Sequence, residues 1–200
     1  LMVKLQNVTR AHLGLLLANL VWAVNYPFYK VLMPHYITPV ALATFAVTVA
    51  GLLGLVSLFW GGIEKIDRND IYKFIGAALL MGIAKKLLLM IGMQHTSPIE
   101  ASIIATLGPI LVLVFSFFFG IDRFTPMKVF GMVLGMGGAL LVILSGGGAV
   151  TSGEKLMGNL FVVGAIAASS FSMVWLKGLI MKYRPITVLR VYYPMAAVML

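Results

Sequence analysis

KFIGAALLMGIAKKLLLMIGMQHTSPIEASIIATLGPILVLVFSFFFG, from Lys73 to Gly120, decides how this chain is read. It is two apolar runs joined by the polar turn Gln94-His95-Thr96-Ser97-Pro98. The first run buries Lys85 and Lys86 among leucines, methionines and glycines; the second opens with Glu100 and carries Pro109 near its middle. Each run has the length of a membrane-crossing helix. A charge at bilayer depth costs about 2.5–3.5 kcal/mol on insertion scales, so such residues mark a pathway or a binding site by default. Lys85 and Lys86 are neighbours and point about 100° apart on a helix, so one cavity cannot receive both equally. Gly82, Lys86 and Met93 share a face, which makes Lys86 the favoured inward residue. The alternative is that it snorkels over about 10 Å to the outer interface. Glu100 either complements the positive end of its helix or pairs with Lys86 or Lys85 across the hairpin.

The whole chain supports a membrane setting. It is 61% hydrophobic and 10% charged, with a mean hydropathy of +1.04. Soluble domains run to about 45–50% apolar and about 25% charged. The net charge of +9 would suggest nucleic acid on a soluble chain; here the basic residues fall between apolar runs, where they fix topology. Without cysteine, neither disulfides nor thiolate metal sites are available. The fold class expected is an all-α integral membrane protein with about seven spans.

The first span runs about from Ala11 to Met33. Lys4 and Arg10 precede it, but Asn19, Trp22, Asn25 and Lys30 lie within it and no small-residue cleavage site closes it, so it is no removable signal. Leu1 ahead of Met2 suggests a trimmed end. Asn19, Ala23, Tyr26 and Lys30 recur at helical spacing with Trp22 beside them, and Pro27 should bend the outer half. The second span, Thr38 to Trp60, carries Ala46, Ala50 and Gly54 four apart, a close-packing pattern. The third covers Ile71 to Met93. The fourth, Pro98 to Phe119, has a polar line of Ser102, Thr106 and Pro109, the last a helix bend. The fifth, Met127 to Leu144, holds Gly131-xxx-Gly135, and a glycine-rich linker follows from Ser145 to Gly153. The sixth, Leu156 to Met181, contains Ser169, Ser170, Ser172 and Trp175. The seventh starts at Pro185, carries Arg190, Tyr192, Tyr193 and the further bend residue Pro194, and stops at Leu200. That is too short to cross a ~30 Å core, so the chain is expected to be part of a longer one.

Alternate loops carry the positive charge. Lys4 and Arg10, then Lys65, Arg68 and Lys73, then Arg123 and Lys128, then Lys182 and Arg184 share one side; Lys155, His35 and His95 share the other. This places the amino terminus in the cytoplasm and the protein in the cell membrane as a multi-pass protein. Leu156 to Pro185 echoes Leu13 to Pro39: a Trp, a Lys near the far end and a proline opening the next helix. Five spans separate the copies, and an odd number inverts the second, as in secondary transporters with inverted repeats.

Gln94-His95-Thr96-Ser97-Pro98-Ile99-Glu100-Ala101-Ser102, then Gly108-Pro109-Ile110, then Ile121-Asp122-Arg123-Phe124-Thr125-Pro126, then Gly131 and Gly135-Met136-Gly137-Gly138 together resemble the EamA-type branch of the drug/metabolite transporter superfamily. His95 stands where that family usually has an aromatic, and Asp122 where it usually has glutamate. The resemblance implies two inverted five-helix repeats, ten helices in all. Residues 1–148 would then be the first repeat, and 149–200 the linker and the start of the second. It also implies a central cavity opening alternately to each side and substrates that vary widely; it supplies no catalytic or binding set.

The function expected is therefore a permease or exporter moving a small metabolite or drug-like solute by alternating access, in contact with the lipid bilayer and not with nucleic acid. Asn19, Trp22, Tyr26, Lys85, Lys86, Glu100, Ser102, Thr106, Trp175 and Arg190 are the candidates for its substrate cavity, and the lysines suit an anionic or carboxylate-bearing solute. An enzyme would need paired carboxylates, metal-ligand spacing or a nucleophile–base set, and a channel a filter or charged ring; the sequence presents neither. No cofactor, metal site or catalytic residue is expected.

Overall fold

The computed structural model describes residues 2–33, 35–123, 125–145 and 153–200. Pro34, the motif residue Phe124 and the interior of the glycine-rich linker lie outside the described residues. The described residues form helices and loops without strands: α1 (Met2–Leu32), α2 (Pro39–Val56), α3 (Ile71–Ala77), α4 (Lys85–His95), α5 (Pro98–Ala105), α6 (Gly108–Phe118), α7 (Pro126–Ser145), α8 (Gly153–Trp175), α9 (Lys177–Lys182) and α10 (Pro185–Met199).

Three helix starts follow one local rule. A hydroxyl residue in extended or capping geometry precedes a proline that already has helical φ and needs no donor. Thr38 Oγ1 accepts from Ala41 N–H at 3.3 Å ahead of α2. Ser97 Oγ accepts from Glu100 N–H at 3.2 Å ahead of α5. Thr125 Oγ1 accepts from Lys128 N–H at 3.4 Å ahead of α7.

Among the described residues, five stretches are long and apolar enough to cross a membrane: His12–Leu32, Pro39–Trp60, Arg68–His95, Pro98–Phe118 and Gly153–Trp175. The expectation of about seven spans goes further than this. α7 occupies the position expected for the fifth span with 20 residues, and α10 has only 15. The sixth expected span is interrupted: α8 ends at Trp175 and the short α9 follows after Leu176.

The third span is the axis of the fold. It continues from α3 into α4 through a π-helical segment, Ala78–Ala84. Phe74, Ala77 and Ala78 at its start join one core with Val47, Leu179, Val188 and Tyr192. Leu89, Met90 and Met93 at its end join another with Tyr26, Ala43, Ile104, Val162 and Ala165. Lys85 and Lys86 fall between the two cores.

α8 lies alongside this axis. The two helices touch backbone to backbone where Gly92 meets Gly158: a Cβ at Gly92 would stand 2.8 Å from the Gly158 carbonyl and 2.9 Å from Val162 N. Close approach here explains both glycines. On α2, the contact with α10 runs through Gly51, where a Cβ would lie 3.0 Å from Ala197 Cβ, and through Gly54. The expected Gly131-xxx-Gly135 contact is only half realised: Gly135 faces Ile110, while Gly131 has nothing within 4 Å.

Polar clusters close both ends of the helix pair. At one end, the loop before α3 meets the turn before α10. Lys182 pairs with Asp67, and with Asp70 at 2.6 Å. The Tyr183 hydroxyl donates to Asp70 at 3.0 Å and accepts from Asp67 N–H at 3.1 Å. Arg184 N–H donates to Glu64 at 2.8 Å, which holds that carboxyl below its usual range; the two aspartates hold the Lys182 ammonium above its own. Two of the four basic segments assigned to one side, the loop before α3 and the turn before α10, thus lie against each other.

Arg190 belongs to this scaffold. Its guanidinium donates to Ser57 O at 2.6 Å, Ser57 Oγ at 2.8 Å, Gly61 O at 2.5 Å and Gly62 O at 3.0 Å. It therefore caps carbonyls that the end of the second span leaves without helical partners. Arg190→Ala should cost about 2–3 kcal/mol, the worth of losing charge-assisted hydrogen bonds. At about 2–4 °C per kcal/mol for this size, the melting temperature falls by roughly 4–12 °C. An unchanged melting temperature in detergent would show that the cap contributes nothing.

Candidate functional site

The site grows out of three helix irregularities. Pro27 lacks an N–H, so the Ala23 carbonyl in α1 loses its helical partner. The fourth span breaks between α5 and α6. There Thr106 and Leu107 N–H turn back to Ile103 and Ile104 carbonyls, each at 3.0 Å, and Pro109 opens α6. The third span widens into its π-helical turn immediately before Lys85. Segments of this kind are concentrated at functional sites, and broken helices line binding cavities in transporters.

These irregularities surround a cavity of about 1200 Å³. Asn19, Trp22 and Tyr26 line it from α1, Lys85 from α4, and Ser102 and Thr106 from the fourth span. Ile166, Ser169, Ser170 and Met173 form its wall on α8. Local bonds hold the polar groups: Asn19 Nδ2 donates to Leu15 O at 2.8 Å, Ser102 Oγ to Ile99 O at 2.7 Å and Thr106 Oγ1 to Ile103 O at 2.6 Å. Ser170 Oγ donates to Gly108 O at 3.1 Å and so ties α8 to the broken helix. The lining is mostly apolar with a few placed polar groups, the usual make-up of a small-molecule site.

A second chamber of about 300 Å³ adjoins it. Trp22, Tyr26, Lys85 and Ile166 line both. Lys86, Asn25, Tyr29, Tyr192 and Tyr193 belong to the smaller one alone. Tyr192 and Tyr193 stack with ring centroids 4.3 Å apart. Neither lysine has a hydrogen-bonding or ionic partner among the described residues. No side-chain nitrogen or oxygen there is sealed away without a partner, so both ammonium groups keep accessible surface.

Lys86, the favoured inward residue, lines the smaller chamber and not the larger. The 100° splay of adjacent residues gives Lys85 a share in the larger chamber, while both lysines line the smaller one. Glu100 stands in the first turn of α5, where one of its two expected roles puts it, and lines neither chamber. It is 5% exposed and pairs with Lys155 at 2.6 Å, not with either lysine of the third span. The Thr96 hydroxyl lies 3.1 Å from the same carboxylate and contacts the Asn159 side chain. Glu100 starts α5 at the end of the hairpin, beyond the reach of Lys85; its partner comes from the first turn of α8.

Two further candidates lie away from both chambers. Trp175 stacks against Phe171, at a centroid separation of 6.2 Å, and presses on Gly76. Arg190 is the cap described above. Asn25, Tyr29, Tyr192, Tyr193 and Ser170 line the chambers without being among the cavity candidates read from the sequence. Asn25 and Tyr29 stand four apart on α1, and a tyrosine pair inside an apolar helix is itself a signal. Lys30 proves to be a cap: its ammonium donates to Thr96 O at 3.0 Å and Gln94 O at 3.2 Å at the end of α4. The described residues contain no cluster of three or more His, Cys, Asp or Glu able to hold a metal.

The EamA-like transporter family model matches residues 9–144. An uncharacterized transporter of Archaeoglobus fulgidus is 26% identical over 153 residues, covering 76% of this chain and 52% of that protein. The uncharacterized transporter YvbV of Bacillus subtilis is 27% identical over 177 residues, covering 87% of this chain and 54% of its own length. The chain thus spans about half the length of the curated relatives it matches. No solved structure matches it.

Proposed function

Because the chain belongs to the EamA-like transporter family, and is a multi-pass membrane protein, we propose that it moves a small solute across the cell membrane by alternating access, with its amino terminus in the cytoplasm. In this reading residues 1–148 form the first five-helix repeat, and residues from 149 onward begin a second, inverted one. The substrate sits between α1, α4, the broken fourth span and α8. Asn19, Trp22, Tyr26, Lys85, Ser102 and Thr106 hold it there, with Lys86 beside them. In this reading the chain carries a solute and transforms none.

One observation supports this reading above the others: two ammonium groups at the middle of an apolar helix have no partner among the described residues, yet line pockets bounded by polar and aromatic side chains. Lipid would not tolerate them. A solute with a negative group supplies the missing counter-charge. Both polar end clusters lie between segments assigned to different repeats: Glu100 with Lys155, and Asp70 with Lys182. Such contacts can open at one end while the other stays shut.

The test is uptake of radiolabelled amino acids, nucleobases and organic anions by liposomes containing the purified protein. A carrier gives saturable uptake of at least one class, reduced tenfold or more by Lys85→Met. Flux that rises linearly with concentration and ignores that substitution would point to a pore.

A further inference from the structure

The two chambers differ in a way that specifies a solute. The larger is walled mainly by apolar side chains and by Trp22, with Asn19, Ser102 and Thr106 each occupied in a local helix bond. The smaller is lined by Lys85, Lys86 and the side chains of Tyr26, Tyr29, Tyr192 and Tyr193. Neither chamber includes an Asp or Glu side chain. Their described lining therefore carries two positive charges and no negative one.

Two adjacent ammonium groups repel each other, and the low dielectric around them magnifies the effect. A single carboxylate would offset one of them. A head bearing two negative charges offsets both, and tyrosine hydroxyls can donate to its remaining lone pairs. Aromatic cages otherwise attract cations, but two fixed positive charges oppose that here. The shared wall of Trp22, Tyr26, Lys85 and Ile166 places the charged chamber directly beside the apolar one.

We infer that the preferred solute is an amphipathic dianion: a doubly negative, oxygen-rich head between Lys85 and Lys86 in the smaller chamber, and a flat apolar body against Trp22 in the larger. Its head is a dicarboxylate or a phosphate monoester. The inference rests on the transport reading for its biological meaning, but the binding it describes is measured without transport.

The experiment uses the purified chain in lipid nanodiscs and follows tryptophan fluorescence, with Trp22→Phe identifying the signal from the site. The probes are phenylsuccinate, phenyl phosphate, succinate, 3-phenylpropanol and phenethylamine. At least one of the two aromatic dianions should bind tenfold or more tighter than succinate, which lacks the body, and than 3-phenylpropanol, which lacks the charge. Phenethylamine should bind weakest. Which aromatic dianion wins identifies the head. Lys86→Met should weaken that dianion about tenfold and leave 3-phenylpropanol unchanged, and Lys86→Arg should restore most of the loss. The inference is overturned if 3-phenylpropanol or phenethylamine binds as tightly as both aromatic dianions. It is overturned equally if no probe binds, or if Lys86→Met changes nothing. Saturable liposome uptake without any preference for dianions sinks this inference and leaves the carrier standing. Selective dianion binding with no flux does the reverse.

Discussion

Replacing Lys85 and Lys86 together by methionine is expected to make the protein more heat-stable and to abolish its transport. Both ammonium groups are half-buried between the two cores, and no carboxylate among the described residues offsets them. Methionine keeps the length and the apolar stem of each side chain. Removing two charges from bilayer depth relieves up to about 2.5–3.5 kcal/mol apiece. Water in the cavities already recovers part of that, so the net gain should be about 1–3 kcal/mol. For a chain of this size the melting temperature then rises by roughly 2–12 °C. Function held in a strained site and stability gained by removing it is a familiar exchange. A double variant that melts lower than the parent and still transports would show the lysines to be structural.

The second large effect is expected at the glycine contact between the third span and α8. At Gly92 any side chain meets Val162 Cγ2 at 2.7 Å, Gly158 O at 2.8 Å and Val162 N at 2.9 Å. Two of these atoms are backbone and cannot rotate aside. The helices cannot slide apart cheaply either, because the Glu100–Lys155 pair and the Thr96–Asn159 contact fasten them at the hairpin end. Gly92→Leu should therefore cost more than about 4 kcal/mol, the range reserved for overpacking and broken networks. It should abolish a monodisperse peak in size-exclusion chromatography. Gly131→Leu on α7, where nothing lies within 4 Å, should leave the profile unchanged. Equal behaviour of the two variants would contradict the close approach.

Much of this was legible in the residues. Span-length apolar runs, and the Ser-Pro and Thr-Pro starts, report local physics, and the helices begin where those signals lie. The polar face of α1 and the polar line of the fourth span were readable from helical spacing, and both reach one cavity. What could not be read was long-range. Which side chain meets Glu100 depends on α8 arriving beside the hairpin. Which lysine faces which space depends on a π-helical turn that no local pattern announces. Arg190 and Lys30 look like cavity residues by type, yet both satisfy carbonyls at the ends of other helices. In an apolar helix a lone cation serves a ligand or a helix end equally well, and only packing distinguishes the two.

The chain has no native cysteine, which allows the central claim to be tested in membranes without further engineering. Lys85→Cys should react rapidly with a charged, membrane-impermeant thiol reagent. Cysteines placed at the outward-facing Phe45 and Leu134, which are 64% and 59% exposed on the helix surface, should react at least tenfold more slowly, because lipid covers them. Labelling at position 85 no faster than at these two controls would place the lysine in lipid, and the solute cavity between α1, α4 and α8 would have to be abandoned.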